Sequence, residues 1–211
     1  MEIIKKCVKY GVSSYYNTYI YKLNDYTDSE IKEIKKDNVF VRIHKFKDEI
    51  YISIRGTDEL SDWFNNLRRW KTKFLKDDKV HSGFLKHLNI VYYDIIKEIE
   101  NYKKITIIGH SLGGAVSILL GSKICFLNSS IECSVVTYGA PRVGDKKFKL
   151  LCNSLSNLKC YRVYNNYDIV TKVPYLGFNH IGLKYRVSSN NVYIYQIKKL
   201  HSMETYMRSL L

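Results

Sequence analysis

The chain has 211 residues, of which 45% are apolar, and carries a formal net charge of +14 at pH 7. This length and apolar fraction predict a single domain, residues 1–211, with one hydrophobic core. No uninterrupted run of about 18 apolar residues is present, which argues against a membrane-spanning helix. The five cysteines form no CxxC pair, so we expect free thiols rather than a disulfide framework or a zinc site.

The amino-terminal stretch MEIIKKCVKY places charged residues within each short apolar segment. A secretory signal would need an apolar segment of about 7–15 residues there. Together with the odd number of cysteines, this predicts an intracellular location, with a mature secreted form as the alternative.

The positive charge is spread along the chain, and its densest groups, 71–79 and 146–149, are short. Lys, Ile, Asn and Tyr abound whereas Pro occurs twice, a bias typical of AT-rich genomes. We therefore interpret the charge mainly as compositional. Attraction to an anionic membrane surface is the alternative, and nucleic acid is not expected as a partner.

The predicted elements begin with a helix within residues 1–22 that packs on a sheet. NVFVRIHKF and EIYISIRG alternate like two strands, joined by a hairpin at Lys47-Asp48. From Gly83 to Tyr102, apolar residues recur at spacings of three and four, which predicts an amphipathic helix.

The second half of the chain alternates apolar strand-like runs with helical patterns. In order, we predict a strand at 104–108, a helix from 111, a strand at 133–140, a helix at 145–155, a strand at 160–165, two shorter strands at 181–187 and 192–196, and a helix at 201–210. This order predicts an α/β fold with a mostly parallel central sheet, right-handed crossovers and an early antiparallel hairpin.

Ser111 lies between Gly109 and Gly113 in TIIGHSLGGAV, the G-x-S-x-G spacing of a sharp turn from strand to helix. In such a turn the serine backbone is strained, and a Cβ at either glycine would collide with a neighbouring strand or helix. This geometry suits a nucleophilic serine. The alternative is a glycine-rich turn whose serine has no chemical role.

A serine nucleophile needs a histidine to accept its proton and a carboxylate to orient that histidine. In α/β-hydrolases the acid and then the histidine follow the serine along the chain. Asp168 lies just past a predicted strand, where a loop begins at the carboxyl edge of the sheet. We prefer it to Asp145, which looks like a helix amino-terminal residue, and to Glu132, which begins a strand at the opposite edge.

Two histidines follow Ser111. His180 enters a predicted strand, which favours a structural role, whereas His201 begins the last helical segment after the sheet has ended. We therefore prefer His201 as the base. His110, beside the nucleophile, is expected to point away from it. The remaining histidines are interpreted as surface or structural residues: His44, His81 and His87.

Ester hydrolysis also needs donors for the developing oxyanion. The backbone N–H of Leu112, directly after the nucleophile, is the expected first donor. The second is expected from Thr57, in the loop after the strand YISIR. The alternative is that Gly56-Thr57 is only the turn into a helix.

Six ordered blocks within residues 40–206 together resemble the class 3 (fungal-type) triacylglycerol lipase family of α/β-hydrolases: SIRGTDELSDWFNNL, VHSGF, TIIGHSLGGAVSILL, TYGAPRVGD, RVYNNYDIVTKVP and HSMETY. The resemblance implies a central, mostly parallel sheet flanked by helices. It also implies a Ser111–Asp168–His201 triad, an oxyanion hole from Thr57 and Leu112, lipid esters as substrates, and no metal or cofactor.

The resemblance further implies a short amphipathic lid at about residues 58–69, with Trp63, Phe64 and Leu67 on its apolar face. A static surface helix is the alternative. The basic stretch RRWKTKFLKDDK that follows favours anionic phospholipid or a membrane surface. The expected function is therefore that of a lipid carboxylic-ester hydrolase. The alternatives are a phospholipase A1-like enzyme, a short-chain esterase, and a non-catalytic lipid-binding module that keeps the fold.

Overall fold

The computed structural model describes residues 1–15, 30–56, 70–188 and 197–211. Its strands are β1 (Glu30–Lys36), β2 (Val39–Lys45), β3 (Ile50–Ile54), β4 (Lys71–Lys73), β5 (Lys79–His81), β6 (Lys104–His110), β7 (Glu132–Tyr138), β8 (Leu158–Asn165) and β9 (Leu183–Val187). Its α-helices are α1 (Glu2–Ser13), α2 (Ser82–Ile99), α3 (Leu112–Leu127), α4 (Lys146–Ser154), α5 (Ile197–His201) and α6 (Met203–Arg208), and a 3₁₀ helix spans Ile169–Lys172.

Within the described residues, the central sheet has seven strands in the order β1-β2-β3-β6-β7-β8-β9. The five strands from β3 to β9 in that order run parallel, whereas β1 and β2 pair antiparallel at one edge. β6 and β7 are rich in Ile and Val because helices cover both of their faces. The predicted α/β fold with an early antiparallel hairpin is therefore confirmed.

Helices pack on both faces of the sheet. On one face, α2, α3 and α4 share a core with β2, β3, β6 and β7. α3 is buried along most of its length because it lies between the sheet and α2. On the other face, α1 and α6 share a second core with Ile108, Val136 and Val163. There α1 packs directly against α6, and a Cβ at Gly11 would lie 2.5 Å from Cε of Met203.

Two strand pairings were not predicted. β1 is a charged edge strand in which only Ile34 is buried, so it lacks the apolar alternation that marks a strand in sequence. Charged residues on an edge strand discourage pairing with other chains. β4 and β5 form a separate two-stranded hairpin of three residues each.

The final helical segment also differs from the prediction. His201 ends α5 instead of beginning a helix, because Ser202 interrupts the segment and caps α6 through a hydrogen bond from the backbone N–H of Thr205. The predicted strand at 192–196 and the end of the predicted helix at 1–22 lie outside the described residues. In the part of the chain described, no helix is long and apolar enough to cross a membrane.

Candidate active site

Ser111 occupies the turn between β6 and α3 in a strained backbone conformation, with φ 57° and ψ −128°. Positive φ is uncommon for residues other than glycine and costs on the order of 1–3 kcal/mol. The backbone N–H of Ser111 donates to the carbonyl of Tyr138 at 3.0 Å, which ties the turn to the end of β7. The turn therefore holds the serine at the carboxyl edge of the sheet.

The two glycines of the motif permit close backbone approach, as predicted. A Cβ at Gly109 would lie 2.3 Å from the carbonyl oxygen of Gly113 in α3. A Cβ at Gly113 would lie 2.2 Å from the carbonyl oxygen of Ile54, at the end of β3. Any side chain at either position would push α3 away from the sheet and displace Ser111.

Asp168 and His201 form a buried pair. Nδ1 of His201 lies 2.7 Å from Oδ2 of Asp168, and the two side chains are 1% and 0% exposed. Because a carboxylate only accepts, Nδ1 is the donor in this contact, which leaves Nε2 as the ring nitrogen that can accept a proton. Asp168 lies three residues after β8, in the loop where the sequence predicts it.

The Asp168 carboxylate is fixed by two further donors. Its Oδ1 accepts from the backbone N–H of Val170 at 3.0 Å, and this hydrogen bond caps the amino terminus of the 3₁₀ helix. Its Oδ2 accepts from the hydroxyl of Tyr206 at 2.6 Å. That hydroxyl in turn accepts from the backbone N–H of Asn165 at 3.1 Å. The carboxylate that orients His201 is therefore itself held in place by two further hydrogen bonds.

Ser111 Oγ and His201 Nε2 are both buried, and neither has a hydrogen-bond partner among the described residues. The rings of His110 and His201 lie with their centroids 4.6 Å apart, so the candidate base packs against the residue that precedes the candidate nucleophile. Hydrogen bonds between a nucleophile and its base are often loose before substrate binds. The lack of a direct contact is therefore compatible with a catalytic pair.

His110 belongs to a hydrogen-bond chain that the sequence did not indicate. Its Nε2 donates to the His201 carbonyl at 2.5 Å, which leaves Nδ1 to accept from the hydroxyl of Tyr15 at 2.8 Å. The same hydroxyl accepts from the backbone N–H of Gly56 at 2.9 Å. Burial, and secondly the charge of His201, hold the pKa of His110 well below its usual value, which keeps the ring neutral.

Of the two predicted oxyanion donors, only Leu112 lies within the described residues. Leu112 is the first residue of α3, and the first four N–H groups of a helix have no acceptor within the helix. Thr57 lies outside the described residues, as do Trp63, Phe64 and Leu67 of the predicted lid. Gly56, which precedes Thr57, passes close to the nucleophile: a Cβ there would lie 2.9 Å from Cβ of Ser111.

The other candidates have structural contacts. Asp145 caps α4 by accepting from the backbone N–H of Phe148 at 2.9 Å, as expected, and Glu132 begins β7. His180 precedes β9 instead of entering it, and its Nε2 donates to the carbonyl of Thr171 at 2.7 Å. His81 caps α2 through Nδ1.

The family model described as "Lipase (class 3)" matches residues 51–178, more than half of the chain. Among curated relatives, phospholipase A1-II 4 of Oryza sativa is 34% identical over 77% of this chain and 50% of its own length. A lipase of Rhizomucor miehei is 30% identical over 67% of this chain and 42% of its own length. The chain thus spans about half the length of these relatives, or less.

Solved structures give the same result. The lipase of Rhizopus microsporus var. chinensis superimposes with a TM-score of 0.73 at 25% identity, covering 88% of this chain and 74% of that one. The triacylglyceride lipase of Rhizomucor miehei gives a TM-score of 0.76 at 25% identity, covering 88% and 79%. These neighbours share the α/β-hydrolase fold. The chain belongs to the class 3 lipase family.

Proposed function

We propose that the protein hydrolyses carboxylic esters of lipids, with Ser111 as nucleophile, His201 as general base and acid, and Asp168 as the orienting carboxylate. The observation that carries this proposal is the 2.7 Å contact between His201 Nδ1 and Asp168 Oδ2, which leaves Nε2 as the ring nitrogen that can accept a proton, buried and without a partner among the described residues, as is Ser111 Oγ. A serine hydroxyl is a weak nucleophile without such a base.

In the first half of the reaction, Ser111 Oγ attacks the ester carbonyl carbon while its proton passes to His201 Nε2. The carbonyl oxygen becomes an oxyanion, which accepts from the N–H of Leu112 and from Thr57. Removing one such donor commonly costs about 10²–10³ in rate. The tetrahedral intermediate then collapses, His201 protonates the departing alcohol oxygen, and an acyl-serine ester remains.

In the second half, a water molecule gives a proton to His201 Nε2 and attacks the acyl carbonyl carbon. Collapse breaks the bond between the acyl carbon and Ser111 Oγ, and the serine regains its proton from His201. Asp168 stays ionised throughout and stabilises the imidazolium that forms in each half. The hydroxyl of Tyr206 and the N–H of Val170 keep that carboxylate in place.

A phospholipase A1-like activity at an anionic membrane surface is the second candidate. Relatives of this chain carry that name, among them the rice protein and phospholipase A1-IIbeta of Arabidopsis thaliana. Trp70 is 68% exposed and stands beside the exposed Lys71 and Lys73 of β4. An exposed tryptophan next to lysines suits the headgroup region of an anionic membrane.

Labelling with a fluorophosphonate probe tests the nucleophile. The probe should modify Ser111 of the wild type, located by mass spectrometry of the labelled peptide. Ser111→Ala should abolish the adduct and His201→Ala should slow its formation sharply, whereas Ser154→Ala, at an exposed serine on α4, should leave it unchanged. A folded protein that gives no adduct, also in detergent, would contradict the proposal and favour a non-catalytic lipid-binding module.

Substrate panels separate the two candidates. Triacylglycerols and short-chain esters of graded acyl length report lipase and esterase activity. Phospholipid vesicles, with the released acyl position identified, report phospholipase A1 activity. Faster hydrolysis of anionic than of zwitterionic vesicles, reduced by Lys71→Gln with Lys73→Gln, would favour the second candidate. Equal rates on both vesicles would contradict the membrane proposal while leaving the triad intact.

A further inference from the structure

A large basic groove lies over β8 and β9, between α4 and the segment 171–182. Its volume is about 1270 Å³, and Ser111, Asp168 and His201 are not among its lining residues. Five cationic side chains on this face line it, and no carboxylate does: Arg142, Lys149, Arg162, Lys172 and Lys184. None of these five forms an ion pair with a carboxylate of the described residues. The groove therefore concentrates positive charge that the described part of the chain does not neutralise.

Arg162 is the buried centre of this charge. The residue is only 5% exposed, and its Nε has no hydrogen-bond partner among the described residues. Its guanidinium lies 4.4 Å from the centre of the Tyr164 ring. Burial is the main cause that lowers the pKa of Arg162; Tyr164 and Tyr206 oppose this effect, and the charge of Arg142 adds to it. A buried cation that is paired with no carboxylate is costly, so its presence at a groove indicates a site for an anion.

The rest of the groove suits an anion larger than a bare inorganic ion. Nδ1 of His180 is also buried and unpartnered among the described residues; because Nε2 donates to the carbonyl of Thr171, Nδ1 can only accept, which suits a hydroxyl of an organic ligand beside the phosphate. Burial, and then the charge of Arg162, lower the pKa of His180 to about 3, so the ring is neutral at physiological pH. Tyr164, Tyr175 and Phe178 supply aromatic surface. Ligand sites commonly measure roughly 300–1,000 Å³ and combine apolar walls with a few polar groups.

We propose that this groove binds a phosphate group carried by a small organic ligand, either free in solution or as a lipid headgroup. An arginine guanidinium matches the geometry of phosphate oxygens, and lysines add point charges around it. This site goes beyond the proposed ester hydrolysis and does not depend on it, because the groove shares none of its lining residues with the triad.

Binding is measured with the Ser111→Ala protein, so that hydrolysis cannot consume a probe. The soluble probes are inorganic phosphate and glycerol 3-phosphate, followed by calorimetry at constant ionic strength. The membrane probes are vesicles of phosphatidylcholine with or without phosphatidylglycerol, followed by sedimentation. Arg162→Gln, and separately the pair Lys149→Gln with Lys184→Gln, should each weaken binding roughly tenfold or more.

The matched control is the pair Lys86→Gln with Lys97→Gln. These two lysines are exposed on α2, so this variant loses the same net charge outside the groove and should bind like the parent. The groove variant that replaces Lys149 and Lys184 changes only exposed side chains and is expected to fold even if Arg162→Gln does not.

The soluble probes and the membrane probes distinguish the two sources of the phosphate group. Binding of glycerol 3-phosphate that is lost in the groove variants supports the site with a soluble ligand. Binding only to phosphatidylglycerol vesicles, lost in the same variants, supports it with a lipid headgroup. Absence of binding in both arms, or equal losses in the groove and control pairs, would overturn the proposal.

Discussion

The ring of His110 packs against the ring of His201 and donates Nε2–H to the His201 backbone carbonyl at 2.5 Å. The residue before Ser111 is thus hydrogen-bonded to the backbone of His201. Through the hydroxyl of Tyr15 it is also linked to the backbone N–H of Gly56, the residue before Thr57 in the sequence. One neutral imidazole therefore ties three parts of the candidate site together.

Replacing His110 should impair catalysis without changing the residues that react. His110→Phe keeps a ring but removes both hydrogen bonds, which leaves buried polar partners unsatisfied at a cost of about 1–3 kcal/mol. We expect kcat to fall by roughly 10–100-fold with little change in KM, since a small displacement of a catalytic group has effects of that size. A variant that is destabilised but keeps the wild-type kcat would restrict His110 to a structural role.

Tyr206 should act on the rate through Asp168. Tyr206→Phe removes the 2.6 Å hydrogen bond to Oδ2 and should lower kcat by about tenfold while reducing the free energy of unfolding by roughly 1–3 kcal/mol. The matched control is Tyr138→Phe, because the buried Tyr138 hydroxyl donates to the carbonyl of Ile4 at 2.7 Å and is not bonded to the triad. Steady-state kinetics and denaturant titrations should show a similar stability loss in both variants but a rate loss only in Tyr206→Phe.

Ser111 should be a residue at which stability and activity conflict. Its φ of 57° favours glycine, so Ser111→Gly should raise the free energy of unfolding by about 1 kcal/mol relative to Ser111→Ala. Both variants should lose about 10⁵–10⁶ in kcat, because neither offers a nucleophile. Denaturant titration and hydrolysis assays check the two parts. An alanine variant as stable as the glycine variant would show that the turn stores no strain at this residue.

Acid should destabilise the fold through buried histidines. Burial is the main cause that lowers the pKa of His44 to about 4 and of His180 to about 3, against an ordinary value of 6.5. Between the pKa of each folded histidine and the ordinary value of 6.5, the unfolded chain binds protons that the folded chain does not. The histidines therefore contribute their full share to the free energy of unfolding above pH 6.5, and this share is lost as the pH drops towards 4. In this range each histidine should change the free energy of unfolding by up to about 1.4 kcal/mol per pH unit. Denaturant titrations from pH 4 to 8 should show a shallower slope for His44→Gln and for His180→Gln, and an unchanged slope in both would contradict this account.

The parts of the site that local sequence patterns describe were predictable. The turn around Ser111 is specified by glycines two residues away on either side, and Asp168 follows a strand-like run directly. The contacts of His110 with Tyr15 and His201 join residues 95 and 91 positions apart, and no local pattern encodes such pairs. The same holds for Tyr206 and Asp168, which are 38 positions apart. β1 was not predicted, because its charged residues obscure the alternation of apolar and polar residues that is typical of a strand.

The packing of α1 against α6 bears on how the site forms during folding. His201 lies two residues before the start of α6, and α6 packs on a helix from the opposite end of the described chain. Contacts between residues that are far apart in sequence form slowly, because closing a long loop costs entropy before any contact is gained. The base should therefore reach its position only after α1 has docked on the sheet. Recovery of hydrolysis after dilution from denaturant should accordingly lag behind recovery of helical signal.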